Sequence, residues 1–148
     1  MKILIIDGQG GKFGKEIVGL VTERFPKLEL IAIGTNSIAT ATMIKAGAPH
    51  GATGENPLIV ACRTADIIVG PIGIVIADSL LGEVTPAMAL AVAQSNAKRI
   101  LIPMNKCDNL IAGINGVPTG KLIEDVAVKI DEIIKECPCK EEPKHILV

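Results

Sequence analysis

The chain has 148 residues, a formal net charge of −1, 49% apolar residues and 1% aromatic residues. That length is typical of one domain built around one core. The even charge balance and the lack of a Lys/Arg cluster exclude a nucleic-acid partner, because phosphate binding needs a basic face. The longest uncharged apolar stretch, residues 67–77, is too short for a membrane helix, which takes about 20 residues.

The N-terminal residues also bear on the compartment. They pass from Met1-Lys2 directly into the apolar segment ILII, without a small-residue cleavage site. No secretory signal is predicted, and we expect a cytoplasmic protein whose thiols are reduced. Because aromatic side chains are scarce, Ile, Leu, Val, Ala and Met must build the core, a composition that suits a buried parallel sheet.

Predicted strands and helices alternate along the first half of the chain. The apolar run over residues 2–6, ended by Asp7-Gly8, predicts a strand buried on both faces. Apolar residues then recur at helical spacing from Lys12, and Pro26 ends that helix. A strand over residues 28–33, a helix of small residues over 37–46 and a loop rich in glycine, proline and histidine over 48–55 follow.

The alternation continues in the second half. The predicted elements are, in chain order, a short helix over residues 57–63, a strand over 66–70, a helix over 86–95, a strand over 99–103 and an amphipathic helix over 118–136. We expect one domain over residues 1–136, and residues 137–148 to form a tail.

Strands that alternate with helices predict an α/β fold, a Rossmann-like three-layer sandwich with a mostly parallel sheet of about five strands. We favour Rossmann strand order over flavodoxin order. Residues 109–114 predict the fifth strand, and only MNKCD separates them from the fourth. Since a parallel crossover needs about a dozen residues, we predict that this edge strand runs antiparallel to its neighbour.

The segment DGQGGKFG, residues 7–14, follows the first strand and opens a helix. In this context, glycines let a tight turn present the first amides of the helix to an anion. The spacing departs from G-x-G-x-x-G, because Phe13 takes the place of the third glycine. We expect phosphate or another anion here, with a plain tight turn as the alternative. The candidate ligand-binding residues of this loop are Asp7, Gly8, Gln9, Gly10, Gly11, Lys12 and Gly14.

Ligands of doubly wound sheets bind outside the carboxyl ends of the strands. The further candidates at that rim are Thr35, Asn36, Gly70, Gly73 and Asn105. No acidic residue ends the second strand to hold a ribose, so neither the NAD nor the NADP pattern is complete. Gly14-Lys15 resembles the end of a Walker A loop, but Gln9 and Glu16 occupy its glycine and hydroxyl positions, which argues against an ATPase or GTPase.

Other residue types give weaker signals. The carboxylates of Asp7, Glu55, Asp78 and Glu83 are candidate acids or bases, but no spacing fixes a pair. Asp7 is the best placed of the four, although an aspartate before glycine is also an ordinary turn residue. Thr35 and Asn36 can cap a helix without any ligand. His50 is predicted as a loop residue, and Gly70 and Gly73 can simply permit a tight bend.

The four cysteines do not form paired C-x-x-C arms, so we predict no metal site. Cys137 and Cys139, near His145, could bind a soft metal or act as a redox pair, but a solvated tail is the simpler interpretation. Cys62 is predicted in the core, and Cys107 would need a neighbouring base to act as a nucleophile.

The stretch SLLGEVTPAMALAVA, residues 79–93, is unusually apolar for a surface helix. We therefore predict that one of its faces packs against a second subunit, in a homodimer or a higher homo-oligomer.

Several short motifs resemble a known family. They are DGQGG after the first strand, GTN after the second, then GATGEN, GPIG, GE-TP-AM and IPMN. Together they resemble a family of short bacterial proteins, common in anaerobic Firmicutes, that is known as a domain of unknown function. The resemblance extends to about Val117, and it implies the fold and a cytoplasmic bacterial setting but no reaction.

Three functions remain open. The favoured one is a binding protein that holds a nucleotide or phosphorylated metabolite with residues 7–14, Thr35, Asn36 and the Gly70 turn. The second is a small enzyme, NAD(P)-linked or acting on a phosphorylated metabolite, with its site completed by a dimer partner. In that enzyme Asp7, Asn105 or Lys106 would lie near the reacting group. The third is a non-catalytic subunit of a larger assembly.

Overall fold

The computed structural model describes residues 1–104 and 109–137 of the chain. Its helices and strands are, in chain order, β1 (Lys2–Asp7), α1 (Lys12–Arg24), β2 (Glu29–Gly34), α2 (Ser37–Lys45), β3 (His50–Thr53), α3 (Glu55–Cys62), β4 (Ile67–Pro71), α4 (Pro86–Gln94), β5 (Lys98–Ile102) and α5 (Thr119–Glu136). A short 3₁₀ helix, Ile72–Val75, follows β4 directly. All five predicted helices are found, and α3 begins two residues earlier than predicted.

The five strands form one parallel sheet in the order β3-β2-β1-β4-β5. The predicted Rossmann order is therefore confirmed. β1 lies at the centre, where Ile5 is in register with Ala32 of β2 and Val69 of β4. The chain leaves β1 toward one edge of the sheet, and it returns through β4 to the other side of β1.

The prediction of an antiparallel edge strand is wrong, because every pair in this sheet is parallel. Residues 109–114 contain no strand, since turns interrupt the apolar run and Gly113 has a φ of 87°. The sheet is completed instead by β3, whose residues were predicted to lie in a loop. Its four residues, HGAT, pair with β2 although apolar and polar residues do not alternate along them. Ile44 packs so closely on Gly51 that a side chain at this position would clash with it.

The core has two layers, one on each face of the sheet. Ile3 and Ile5 of β1 face a cluster that includes residues of α1, α2 and α5, whereas Leu4 and Ile6 face a cluster with residues of α3 and α4. The alternation within β1 is as expected for a strand with both faces buried. The chain thus forms the three layers that the sequence predicts.

Helices on opposite faces follow the neighbouring strands β1 and β4. α1 covers one face after β1, and α4 covers the other after β4. This divergence opens a crevice at the carboxyl ends of β1 and β4, the position at which doubly wound sheets bind ligands. No helix in the described part of the chain is long and apolar enough to cross a membrane.

Candidate functional site

The carboxylate of Asp7 lies inside the glycine loop that follows β1. The residue is 4% exposed, and its two oxygens accept hydrogen bonds from the backbone amides of Gly8 at 2.8 Å and Gly14 at 2.7 Å. Asp7 thereby supplies an acceptor to the first turn of α1, where the N-cap residue Gly11 has no side chain. Asp7 is therefore a structural part of the loop.

Burial is the largest influence on this carboxyl and raises the pKa of Asp7 above its ordinary value. The amide hydrogen bonds from Gly14, Gly8 and Phe13 oppose this rise, and the negative charge of Glu83 adds to it. The carboxylate of Glu83 thus lies close enough to Asp7 to influence its protonation.

The glycines of the loop have different roles. A side chain on Gly11 would clash with the backbone of Ala39, and Gly11 also has a φ of 71°. A side chain on Gly14 would clash with Met43, so both glycines permit close packing of α1 against α2. Gly10 differs from them, because a Cβ there would meet nothing within 4 Å and its φ lies outside the left-handed region.

Asn36 lies between β2 and α2, and its side chain contacts both α2 and the far half of the rim. Its Oδ1 accepts a hydrogen bond from the amide of Ala39 at 2.9 Å and so caps α2, as the sequence allows. Its Nδ2 donates to the carbonyl oxygen of Gln9 and to the carboxylate of Glu83, both at 2.9 Å. Asn36 therefore links the glycine loop to a residue from the far half of the chain.

The segment that carries Glu83 folds over the crevice, and we call residues 76–85 the strap. Hydrogen bonds close the strap on itself, from the amide of Asp78 to the carbonyl of Val84 and from the amide of Val84 to the carbonyl of Ser79. Leu80 is 6% exposed and lies on Gly8, where an added Cβ would come within 2.8 Å of it. The strap thus fills the crevice at the ends of β1 and β4.

Three donors converge on one oxygen of Glu83. Its Oε2 accepts hydrogen bonds from the Gln9 amide at 2.8 Å, Thr35 Oγ1 at 2.5 Å and Asn36 Nδ2 at 2.9 Å. Burial alone would raise the pKa of Glu83, but these three hydrogen bonds outweigh it and lower the pKa. We call the three donors the oxyanion cradle.

Unusual backbone conformations cluster around this contact. Among residues 1–104 and 109–137, four residues other than glycine have a left-handed φ, namely Gln9 at 49°, Asp78 at 62°, Leu80 at 55° and Leu81 at 58°. One lies in the cradle and three lie in the strap. Such conformations cost on the order of 1–3 kcal/mol each and are frequent at ligand sites and switch segments.

The other predicted site residues have separate surroundings. A Cβ on Gly70 would lie 2.4 Å from the carbonyl oxygen of Ile6, and one on Gly73 would lie 3.1 Å from Ser79 Oγ. At both glycines, other atoms of the protein thus occupy the space that a side chain would need. Beside them is a cavity of about 20 Å³, enough for one water molecule, lined in part by Leu80 and Met104. The candidates Asn105, Lys106 and Cys107 lie outside the described residues.

Cysteine and histidine form no site in the described part of the chain. Cys62 is in the core as predicted, and burial raises the pKa of its thiol to about 11. His50 opens β3, and Cys137 is exposed after α5, whereas Cys139 and His145 lie outside the described residues. Among residues 1–104 and 109–137, no group of three or more His, Cys, Asp or Glu side chains could hold a metal ion.

A second depression lies between α1 and α5, away from the predicted rim residues. It measures about 420 Å³, and its lining includes Gly19, Leu20 and Ile123. Arg24 and Glu124 form an ion pair with 2.8 Å between nitrogen and oxygen at this groove. No sequence motif pointed to it.

The apolar stretch over residues 79–93 is divided between the strap and α4. Met88, Ala89 and Val92 of α4 are buried in the core, while Leu90 is 55% exposed on its outer face. Packing of that face against a second copy of the chain stays a prediction.

The sequence predicts most of the rim residues, but it does not predict that Glu83 accepts hydrogen bonds from three of them. Gln9, Thr35 and Asn36 were predicted as ligand-binding residues, and Glu83 only as one of several possible acids. Glu83 is 74 residues from Gln9 and 48 from Thr35 in the chain. No local pattern signals a contact at that separation, since it depends on the path of the strap.

Comparisons with known proteins find similar solved structures and a sequence family that matches the chain. A crystal structure of a dodecameric FMN-dependent Ubix-like decarboxylase from Escherichia coli O157:H7 aligns with 99% of this chain and 86% of that chain. The sequence identity is 17% and the TM-score is 0.43, a likeness that carries no information on activity. No curated protein sequence matches the chain.

The family described as "Domain of unknown function (DUF3842)" matches residues 2–135. This range includes the rim loops, the strap and nearly all of α5, so it extends beyond the motifs that carry the resemblance in the sequence. The resemblance to a domain of unknown function is confirmed, and the chain belongs to this family.

Proposed function

We propose that the chain binds an anionic small molecule, a nucleotide or a phosphorylated metabolite, through the oxyanion cradle and the glycine loop. The observation that carries this proposal is the convergence of the Gln9 amide, Thr35 Oγ1 and Asn36 Nδ2 on one negatively charged oxygen. Donors arranged around one point are suited to a phosphate or carboxylate oxygen, and Glu83 Oε2 marks that point.

The fold holds the three donors in place. The Thr35 amide donates to the carbonyl of Asp7, and Asn36 is fixed by its cap of α2. Gln9 lies within the loop turn that is closed by the hydrogen bond from the Gly11 amide to the carbonyl of Gly8. A ligand oxygen would therefore meet donors that need little reorganisation, which favours binding. Lys12 is exposed at the start of α1 and would add a positive charge near the loop.

Gly10 supports the same proposal from the side of the loop. The fold itself does not require a glycine there, because the position is exposed, its φ is ordinary and a Cβ would meet open space. A glycine at such a position lets a ligand approach the backbone closely. In this proposal the ligand lies over Gly10 and places one anionic oxygen in the cradle.

The enzyme alternative has less support from the contacts. Asp7, its best general acid or base, is buried and accepts two backbone amides, so its carboxylate is not presented to a substrate. Asn105 and Lys106 lie outside the described residues. Binding is therefore the function that the described contacts favour.

The proposal is tested with ADP and inorganic pyrophosphate as probes, by isothermal titration of the wild-type protein and of Gly10→Leu. We expect Gly10→Leu to weaken binding about tenfold or more, because a side chain would occupy the space over the loop, while circular dichroism stays unchanged. With no Trp or Tyr in the chain, ADP that elutes with the protein is also visible in the near ultraviolet.

The matched control is Gly120→Leu, because Gly120 is exposed in the first turn of α5 and a Cβ there also meets nothing within 4 Å. We expect this variant to bind both probes like the wild-type protein. Equal affinity of the wild-type protein and Gly10→Leu would contradict a ligand at the loop, and failure of both probes to bind would contradict the proposed function.

A further inference from the structure

The cradle holds one oxygen, and in this structure a side chain of the protein supplies it. Glu83 Oε2 lies within 2.5–2.9 Å of all three donors. A ligand oxyanion at the same point would overlap with this atom, and its charge would repel the carboxylate. The ligand and Glu83 therefore cannot occupy the cradle together.

We propose that Glu83 is a built-in competitor, so that the strap closes the cradle in the free protein and a ligand oxyanion enters only when the strap moves away. This inference rests on the proposed function, because it concerns the regulation of the same site. In this exchange one ligand oxygen replaces one carboxylate oxygen, so the three donors keep an acceptor.

The strap is built as a unit that can move without unravelling. Its own hydrogen bonds join Asp78 to Val84 and Ser79 to Val84, and the amide of Gly82 donates to the carbonyl of Asp78. Residues 78–84 are held to the rest of the protein through side chains, because Ser79 Oγ donates to the carbonyl of Gly73, Glu83 lies in the cradle and Leu80 packs on Gly8. At the end of the strap, Thr85 donates to Glu55. Opening can therefore separate the strap from the cradle while the internal bonds persist.

Two opposing effects determine the equilibrium between the closed and the open position of the strap. Leu80 and Val84 are 6% and 1% exposed, so opening would bring apolar side chains into water and closure is favoured. Against this, closure holds the Glu83 carboxylate near that of Asp7, whose pKa its negative charge helps to raise, and this repulsion favours opening. A strap under both effects is suited to a two-state change that a ligand can shift.

Competition of this kind lowers the apparent affinity by the fraction of molecules whose cradle is open. The test measures pyrophosphate and ADP binding to the wild-type protein, Glu83→Ala and Glu83→Gln by isothermal titration. We expect Glu83→Ala to bind pyrophosphate about tenfold more tightly or better, and Glu83→Gln to show a smaller gain. Glu136→Ala is the control, because it removes the same charge from an exposed position at the end of α5.

A second readout needs no ligand. Hydrogen exchange of the Gly8 amide, which lies under Leu80 of the strap, should be faster in Glu83→Ala than in the wild-type protein, while exchange at Gly82 and Val84 within the strap and in β1 and β4 stays the same. This readout also identifies a variant that has lost its fold, and in that case Glu83→Gln carries the test.

The outcomes separate the two proposals. Binding to the wild-type protein with equal or weaker binding to Glu83→Ala would overturn the competitor and leave the proposed function in place. Weaker binding of ADP alone would make Glu83 a ligand contact, an acceptor for ribose hydroxyls, and would overturn the competitor as well. Absence of binding to every variant would overturn the proposed function and, with it, this inference.

Discussion

Two carboxylates lie at the rim, and their environments are opposite. Asp7, in the glycine loop, is 4% exposed and binds amides within seven residues of itself. Glu83, in the strap, is half-buried and binds donors at least 47 residues away in the chain. Burial raises the pKa of Asp7, whereas hydrogen bonds lower that of Glu83 against the opposing effect of its burial.

This difference means that Asp7 has a structural role, whereas Glu83 can be displaced by another anion. The Asp7 carboxylate accepts hydrogen bonds from the amides of Gly8 and Gly14 and so completes the first turn of α1. Glu83 is attached through a strap with unfavourable backbone conformations, and its donors are suited to any anionic oxygen. The glycine loop thus forms the fixed frame of the site, whereas the strap supplies the carboxylate that a ligand can displace.

The largest effect is expected from Asp7→Asn. The side-chain NH₂ would face an amide donor of Gly8 or Gly14, leaving at least one buried amide without its acceptor. We expect the free energy of unfolding to fall by about 2 kcal/mol, measured by urea denaturation and far-ultraviolet circular dichroism. Asp125→Asn, at an exposed position of α5, is the control and should change stability little. A loss as small as that of the control would show that Asp7 is not part of the frame.

A smaller effect is expected from Gly8→Ala. The new Cβ would lie 2.6 Å from Thr35 Oγ1 and 2.8 Å from both Glu83 Oε2 and Leu80 Cδ1, so these side chains must move away from Gly8. We expect a loss of about 1–2 kcal/mol together with faster hydrogen exchange of the Gln9 amide, whose acceptor Glu83 is displaced. Gly10→Ala meets no atom within 4 Å and should leave both quantities unchanged. Equal behaviour of the two variants would mean that the strap does not lie on Gly8.

The smallest effect is the pH dependence, and the two acids should differ in its sign. The raised pKa of Asp7 means that its contribution is fully present below its ordinary value of 3.8 and is lost as pH rises through the folded-state pKa. The lowered pKa of Glu83 means that its contribution is present above its ordinary value of 4.5 and is lost as pH falls through the folded-state pKa.

Urea denaturation at several pH values checks these signs. As pH rises, the stability difference between the wild-type protein and Asp7→Asn should shrink, while the difference between the wild-type protein and Glu83→Gln should grow. Two differences that change in the same direction would show that the environments of the two carboxylates are alike.

Much of the frame could be predicted from local sequence patterns. The run KILII has no polar face, so it had to be a strand buried on both sides, and Asn36 and Thr85 are each placed to cap the helix that follows. The alternation of strands and helices then led to the parallel sheet and its order. These features depend on residues that are neighbours in the chain, which is why the sequence shows them.

The features that were missed depend on distant contacts. β3 is four residues long, and its exposed residues carry no apolar alternation, so only its pairing with β2 makes it a strand. The filled crevice was not predicted either, because nothing near Gln9 indicates that Glu83 returns to its amide. The predicted edge strand over residues 109–114 does not form, because turns that contain glycine interrupt the apolar run.

The most direct test of the account is a titration of the isotope-labelled wild-type protein with pyrophosphate, followed by the NMR signals of the Gln9 amide and the Asn36 side-chain amide. We predict saturable shifts of both signals, accompanied by shifts of the strap amides as Glu83 leaves the cradle. Signals of the cradle that stay unchanged, or saturable shifts confined to the groove between α1 and α5, would contradict the central claim that the cradle binds an anion.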